Sequence, residues 1–510
     1  MDWFDSWGLT LAVFLPSVGM AIVLFIPSAQ ELALKMTALL TTLATLAVGI
    51  ALLARFDFDM RGALQYDVNK SWIDVINSRY HMGIDGIALP LLLLTMVITV
   101  MCVIYSWDHF PEPHTPKAFL ALILLLETGM NGTFCAQDLI LFFIFFELVL
   151  LPMFFMIGVW GGPNREYASI KFFLFTLFGS ALMLLSFLAL FFLSDPQTFD
   201  IPRLAAQGGA GLAASTQNLV FVGLFLGFAI KVPMFPFHTW LPDAHTEAPT
   251  VGSVLLAAIL LKLGSYGFIR IALPILPQAA RDWAPWIGLL AVIGIIYGAL
   301  CCLAQRDMKR LIAFSSVSHM GFIMLGIATL TNFGINAAIF GMVAHGLITG
   351  MLFFLAGSVQ ERYETREISS LGGMLVQVPR LAWILGFCVM ASLGLPGLAG
   401  FWGEFPSILS AYNPAAGISE ITFRVYMVVS AVGTVLAAGY LLYMFQRVAF
   451  GTVKAQFQNL HVHDVHWPEW FAWTPLLLLI VALGIYPNFI FRITDPAVSG
   501  LAQSVAKVIG

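Results

Sequence analysis

Four charged side chains and two histidines stand inside long apolar runs of this chain, where each charge costs roughly 2.5–3.5 kcal/mol on insertion scales. They are Glu147 in LFFIFFELVLLPMFF, Lys231 in GFAIKVPMFP, Lys262 in AAILLKLGSYGF, Glu404 in GLAGFWGEFPS, His319 in FSSVSHMGFIM and His345 in GMVAHGLITG. Glu127 in ILLLETGMNG is a further carboxylate of the same kind. Carboxylate, imidazole and amine all bind and release protons, so proton transfer is the chemistry this set fits. Desolvation weakens a lysine's hold on its proton and a nearby glutamate restores it. Moving or neutralising the glutamate therefore loads or unloads the lysine.

Each residue also has a plainer reading. Lys231 closes its apolar run and can snorkel from a helix end. Lys262 sits about a dozen residues inside its run, out of snorkelling range. A histidine alone in a membrane helix is as often a satisfied packing residue as a working one. For Glu127, a hydrogen bond to a neighbouring helix weighs equally with function. Glu147 is enclosed by apolar neighbours on both sides, which disfavours a purely structural role. Two lysines and two glutamates in one bundle offset each other's desolvation if they pair.

The elements that must position these groups follow from composition. The chain has 510 residues, 60% hydrophobic and only 10% charged, with a mean hydropathy of +0.90. That makes it an all-α polytopic membrane protein, with no room for a soluble domain. About fourteen spans are expected, near residues 8–27, 33–54, 86–106, 117–136, 138–159, 169–193, 217–237, 250–273, 284–304, 309–330, 335–357, 380–412, 424–448 and 473–493. A polar, aromatic loop fills 55–85, and the seventeen residues after the last span look too few for a long appended helix.

Two spans are interrupted: the seventh by Pro233 and Pro236 in KVPMFP, the twelfth by GLPGLAGFWGEFP. Broken helices free backbone groups that lipid cannot satisfy, so they line protein-walled or hydrated cavities. Glu147 and Lys231 lie 84 residues apart, and His319 and Glu404 lie 85 apart. Spans 5 and 7 thus relate to spans 10 and 12 by a nearly constant shift. An odd number of spans per copy makes the second copy inverted, the arrangement in which paired broken segments mark a transport site. The expected division is 1–116 (three helices and the polar loop), 117–273 (first five-helix repeat), 284–448 (inverted repeat) and 449–510 (loop and last span).

Lys and Arg are denser in loops after odd-numbered spans, including Lys309, Arg310, Arg362 and Arg366. The positive-inside rule makes those loops cytoplasmic and puts both termini on the other side. Even-numbered loops and the tail hold fewer, among them Arg61, Arg270 and Lys507. The five cysteines read as small buried hydrophobes, with no disulfide, zinc or cluster framework. No glycine-rich nucleotide loop and no basic run for nucleic acid is present, and the N-terminus lacks a cleavable leader. His461, His463 and His466 in HVHDVHW could ligate a metal, but a polar interhelical loop is the simpler reading.

At these residues the sequence resembles the antiporter-like subunits of complex I, the proton-pumping NADH:quinone oxidoreductase, and most closely its M-type chains. The resemblance covers spans 3 to 13. It rests on GIDGIALPLLLLT, FFELVLLPMFFMIGVWG, KVPMFPFHTWLPDAHTEAPTVGSVLLAAILLKLGSYGFIR, QRDMKRLIAFSSVSHMGF, HGLITGMLFFLAG and GLPGLAGFWGEF. It implies that Glu147 modulates Lys231, that Lys262 is a central linking lysine, that His319 and His345 form a polar relay, and that Glu404 is the terminal glutamate. It also implies a role for His245 after the broken helix, and a lesser one for His238. It implies no cofactor in this chain, with FMN, iron–sulfur clusters and quinone in partner subunits. The implied partners are L-type and N-type antiporter-like chains, small membrane subunits and lipids. A bacterial inner membrane is the expected location, with a mitochondrial inner or other organellar membrane as the alternative. A subunit of a multisubunit Na+/H+ antiporter of the Mrp type shares nearly every motif and is the alternative. A stand-alone solute transporter is disfavoured by the scarcity of other polar groups in the spans.

Overall fold

Proline and short polar side chains set many of the helix ends. Asp138, Asp307, Thr331 and Ser419 each accept a hydrogen bond from a backbone N–H of the helix that follows, the usual way to satisfy an exposed helix N-terminus. The computed structural model describes residues 3–60 and 62–509, with side chains as far as Ala506. Arg61 and the Lys507 side chain, counted in the charge bias, lie outside the described residues.

The long helices are α1 (Trp3–Phe25), α2 (Glu31–Ala54), α3 (Ala88–Tyr105), α4 (Pro116–Cys135), α5 (Leu139–Trp160), α6 (Arg165–Leu193) and α7 (Ala214–Lys231). A short helix α8 (Trp240–Glu247) follows. Then come α9 (Thr250–Ile275), α10 (Pro277–Leu303), α11 (Met308–Ala328) and α12 (Asn332–Tyr363). The next span is split into α13 (Pro379–Ser392) and α14 (Ala399–Ser410). The chain ends with α15 (Glu420–Ala449), α16 (Trp467–Ile485) and α17 (Asn488–Ile509). Among the described residues thirteen helices are long and apolar enough to cross a membrane. With the split α13–α14 segment, that reproduces the expected spans. The chain is an integral membrane protein.

Helices α9, α11 and α12 are almost wholly buried, whereas only 28% of the apolar stretch is buried in α2 and in α15. The charged side chains of interest therefore sit on or beside a protein-walled centre. Close backbone approach builds that centre. A Cβ on Gly403 of α14 would lie 2.5 Å from the Gly341 Cα of α12. One on Gly264 of α9 would lie 2.8 Å from the Phe228 carbonyl oxygen of α7. Small residues at such crossings are how membrane helices gain packing contact without a hydrophobic driving force.

Three features depart from the sequence reading. The 55–85 loop contains a two-stranded antiparallel hairpin, β1 (Gln65–Ile73) and β2 (Ser78–Ile84). It is anchored by Arg270, which bonds Asp85 at 2.5 Å and donates to the Tyr266 hydroxyl at 3.0 Å. On β2, His81 bridges Asp200 (2.6 Å) and Asp67 (2.8 Å). Burial pushes the His81 pKa down, but hydrogen bonds to the two carboxylates outweigh it and raise the pKa to about 9.

Second, a 22-residue helix does follow the last span. Pro487 cannot continue α16, so the span stops at Ile485 and α17 takes up the remaining chain. It runs across one end of the bundle, so near Gly86 that a Cβ there would sit 1.9 Å from the Ile493 carbonyl oxygen. Thr494 and Asp495 tie it to Asn336 of α12 at 2.5 and 3.1 Å. Third, Lys309 is no loop charge. It is 2% exposed in the first turn of α11 and donates to the Ala248 carbonyl.

Candidate functional site

Helix α7 ends at Lys231 because Pro233 and Pro236 have no N–H to donate. The Met234 N–H reaches back five residues to the Ala229 carbonyl, at 2.9 Å. The Ile230 carbonyl, freed by the break, is taken by the indole N–H of Trp240 at 3.0 Å. The side chain of Lys231 is buried, with its ammonium 5.0 Å from the Phe146 ring centre and 6.0 Å from that of Phe172. A cation over an aromatic face recovers part of its lost hydration.

Glu147 lies on α5 beside an interruption at Val149, where Pro152 leaves the Leu148 carbonyl without its helical partner. Its half-buried carboxylate lies beside the Ser180 hydroxyl of α6 and within electrostatic reach of Lys231. The expected face-to-face ion pair is not closed: no Glu147 oxygen comes within 4.0 Å of the Lys231 nitrogen. The neighbouring aromatic Phe146 occupies the space on the lysine side.

Helix α9 carries Lys262 between two π-helical turns, Leu256–Leu260 and Phe268–Ala272. A π-turn widens the helix by one residue and displaces its carbonyls from their usual partners. The Lys262 ammonium donates to the Ala257 carbonyl in the first of these turns, at 2.5 Å, and to His345 Nδ1 of α12, also at 2.5 Å. The His345 ring centre is 5.9 Å from that of His319 on α11. His319 Nδ1 is 2.5 Å from Glu404 Oε1 on α14, and its Nε2 is 3.3 Å from the Ser392 hydroxyl. Lys262, His345 and His319 each stand near the middle of their helices.

The two histidines, Glu404 and Ser392 share a cavity of about 20 Å3, room for one water molecule. His345 Nε2 and Glu404 Oε2 have no protein partner. Glu404 Oε2 faces the break at Gly394, where φ is +75° and a Cβ would meet that oxygen at 3.3 Å. The left-handed backbone favours glycine there, and a Cβ would crowd the carboxylate.

His245, on α8, is fully buried, stacked 4.5 Å from Phe353, with neither ring nitrogen partnered. It lies within electrostatic reach of both Lys262 and Lys309. His238 packs between Phe235 and Tyr297 with Nδ1 unpartnered. Glu127 stands apart on α4, with no hydrogen bond to a neighbouring helix. Among the described residues no three His, Cys, Asp or Glu side chains group to hold a metal ion. Near His461, Asp464 instead caps α13 through the Arg380 and Leu381 amides.

The direct contacts are Lys262–His345 and His319–Glu404, while Glu147 and Lys231 stay within electrostatic reach without touching. Sequence reasoning missed Ser180, Ser392 and the burial of Lys309. Ser392 carried a signal, as the last helical residue before a Gly/Pro break; Ser180 carried none beyond being a hydroxyl in an apolar run.

The sequence family described as "NADH:quinone oxidoreductase/Mrp antiporter, TM" matches residues 136–449. The chain belongs to that family. The match takes in every contact of the row from Glu147 to Glu404. A curated relative, NADH-quinone oxidoreductase subunit M of Rickettsia prowazekii, is 38% identical over 97% of this chain and 98% of its own length. A chain of the respiratory complex I of Thermus thermophilus with bound NADH superposes with a TM-score of 0.86 at 29% identity, covering 98% of this chain and 99% of that one. A chain of the Mrp complex of Dietzia sp. gives 0.85 at 20% identity, covering 99% and 100%; that likeness shows the fold alone. Both solved chains share this chain's architecture.

Proposed function

We propose that Glu147, Lys231, His245, Lys262, His345, His319 and Glu404 carry protons through the membrane, in an antiporter-like M-type subunit of a proton-translocating NADH:quinone oxidoreductase. The observation that carries this reading is the run of contacts Lys262–His345 and His319–Glu404, joining four helices at mid-bundle. A histidine that takes a proton on one ring nitrogen releases it from the other. His345 accepts from Lys262 at Nδ1 and presents the unpartnered Nε2 for release. The shared cavity has room for one water, which would carry the proton on to His319, whose Nδ1 contacts Glu404. On the other side, approach of Glu147 to Lys231 favours the charged ammonium, and separation favours release.

The pairs with matching spacing differ in state: His319–Glu404 is closed and Glu147–Lys231 is open. We read them as equivalent stations of two inverted five-helix repeats, over 117–273 and 284–448. Electron transfer belongs to partner subunits carrying FMN, iron–sulfur clusters and quinone. L-type and N-type antiporter-like chains and small membrane subunits are the neighbours in a bacterial inner membrane, with both termini on the non-cytoplasmic face. Near-full-length identity to an oxidoreductase subunit favours this over the Mrp-type Na+/H+ antiporter reading.

The test is proton pumping by membranes carrying Lys231→Ala or Glu147→Ala. Most pumping should be lost while the complex still assembles. Normal pumping in both variants would overturn the proposal. Flavin- and cluster-bearing subunits should copurify with the chain; their consistent absence would favour the antiporter.

A further inference from the structure

Glu127 of α4 is fully buried, and it is the one buried carboxylate among the described residues with no hydrogen-bond partner on either oxygen. Four residues on, Asn131 is also fully buried. Its Nδ2 is fixed by donation to the Ala12 carbonyl of α1 at 3.0 Å, and its Oδ1 is left unpartnered. Residues four apart are neighbours on one helix face, with Cβ atoms about 5–6 Å apart. Alongside, the Ser17 and Thr128 hydroxyls meet at 2.8 Å across the same α1–α4 seam.

Within one turn of α4, beside its contacts with α1, three buried acceptor oxygens thus have no hydrogen-bond donor. An ionised carboxylate left bare in such a place is far costlier than any hydrogen bond. One proton changes the accounting. A carboxylic acid has an O–H to give, and Asn131 Oδ1 is the acceptor in need of one. No hydrogen bond or ion pair links Glu127 to Glu147, Lys231 or Lys262, so the site is separate from the row that crosses the bundle.

We propose that Glu127 and Asn131 form a proton-binding site at the α1–α4 seam. Glu127 holds its proton as a carboxylic acid and donates it to Asn131 Oδ1, completing a chain from Glu127 through Asn131 to Ala12. The bound proton locks α1 onto α4. A monovalent cation would use the same oxygens, but it would need the carboxylate as an anion, and this separates the two.

The experiment uses the intact membrane complex with Glu127→Gln and Glu127→Leu. The glutamine amide supplies the same N–H donor without a carboxylate; leucine supplies nothing. The thermal-inactivation half-life should stay within about twofold of the parent in Glu127→Gln and shorten about tenfold in Glu127→Leu, as expected for one buried acceptor left bare. The infrared C=O band of a protonated carboxylic acid should be present in the parent and lost in Glu127→Gln. Three results overturn the proposal: Glu127→Gln as damaging as Glu127→Leu, which marks a cation site; Glu127→Leu as durable as the parent; or no acid band lost in Glu127→Gln. Should the leucine variant not assemble, the glutamine variant and the band still decide.

Discussion

Replacing His345 with leucine tests the lysine–histidine contact directly. Lys262 is completely buried and its ammonium has two acceptors, the Ala257 carbonyl and His345 Nδ1, each at 2.5 Å. His345→Leu leaves the carbonyl alone. A hydrogen bond to a charged group contributes about 1.5–3 kcal/mol. At 1.36 kcal/mol per decade that is a loss of about 10- to 150-fold in the rate of any step that needs the loaded lysine. Lys262→Met removes the charge itself. Because the two residues act as one unit, the double variant should be no slower than Lys262→Met, a non-additivity typical of residues in contact. The assay is ΔpH formation in inverted membrane vesicles, normalised to electron flow, with assembly checked on native gels. A His345→Leu variant within about twofold of the parent would refute the reasoning, given the size of a lost charged hydrogen bond. So would a double variant whose loss is the product of the two single losses.

Glu404→Gln keeps a hydrogen-bonding group beside His319 but no base, so pumping should fall about a hundredfold with assembly intact; loss of assembly would instead mark a structural pair. Gly403→Ala drives a Cβ to within 2.5 Å of backbone at Gly341 and should destabilise by about 1–3 kcal/mol, read as lower yield of assembled complex. Gly439→Ala, with nothing within 4 Å, is the matched control and should leave yield unchanged. The folded-state pKa of His81, about 9, lies above its ordinary value of 6.5. Its stabilisation of the hairpin is therefore complete below pH 6.5 and is lost as pH rises through 9. Protection of residues 65–84 against hydrogen exchange, taken relative to the intrinsic rate at each pH, should fall across that window in the parent and show no such trend in His81→Asn. A flat profile in the parent would contradict the Asp67–His81–Asp200 bridge.

The helix breaks were legible because proline's missing N–H is a local property. KVPMFP stops α7 at Lys231, and GLPGLAGFWGEFP splits α13 from α14. Membrane class and span number were legible for the same reason: hydropathy is summed along the chain. Partner choice was not. Lys262 and His345 are 83 residues apart, and the π-turn that offers Lys262 the Ala257 carbonyl leaves no mark in residue type. Opposite charge pointed to a Glu147–Lys231 pair, yet Phe146 stands against the ammonium and the carboxylate lies beside Ser180. Lys309 read as a loop charge because burial depends on Ala248, brought from a distant segment. Helix α17 was hidden by assigning its first residues to the preceding span, since both are apolar and only Pro487 separates them.

The mid-helix placement of Lys262, His345 and His319 has an electrical meaning. A unit charge that crosses the whole membrane works against about 2.3 kcal/mol per 100 mV. A proton passed among three groups at nearly one depth moves along the plane of the bilayer and crosses almost none of that field. Membrane voltage therefore leaves exchange within this stretch untouched. In the proposed relay it acts where protons would reach the row from one face and leave it for the other.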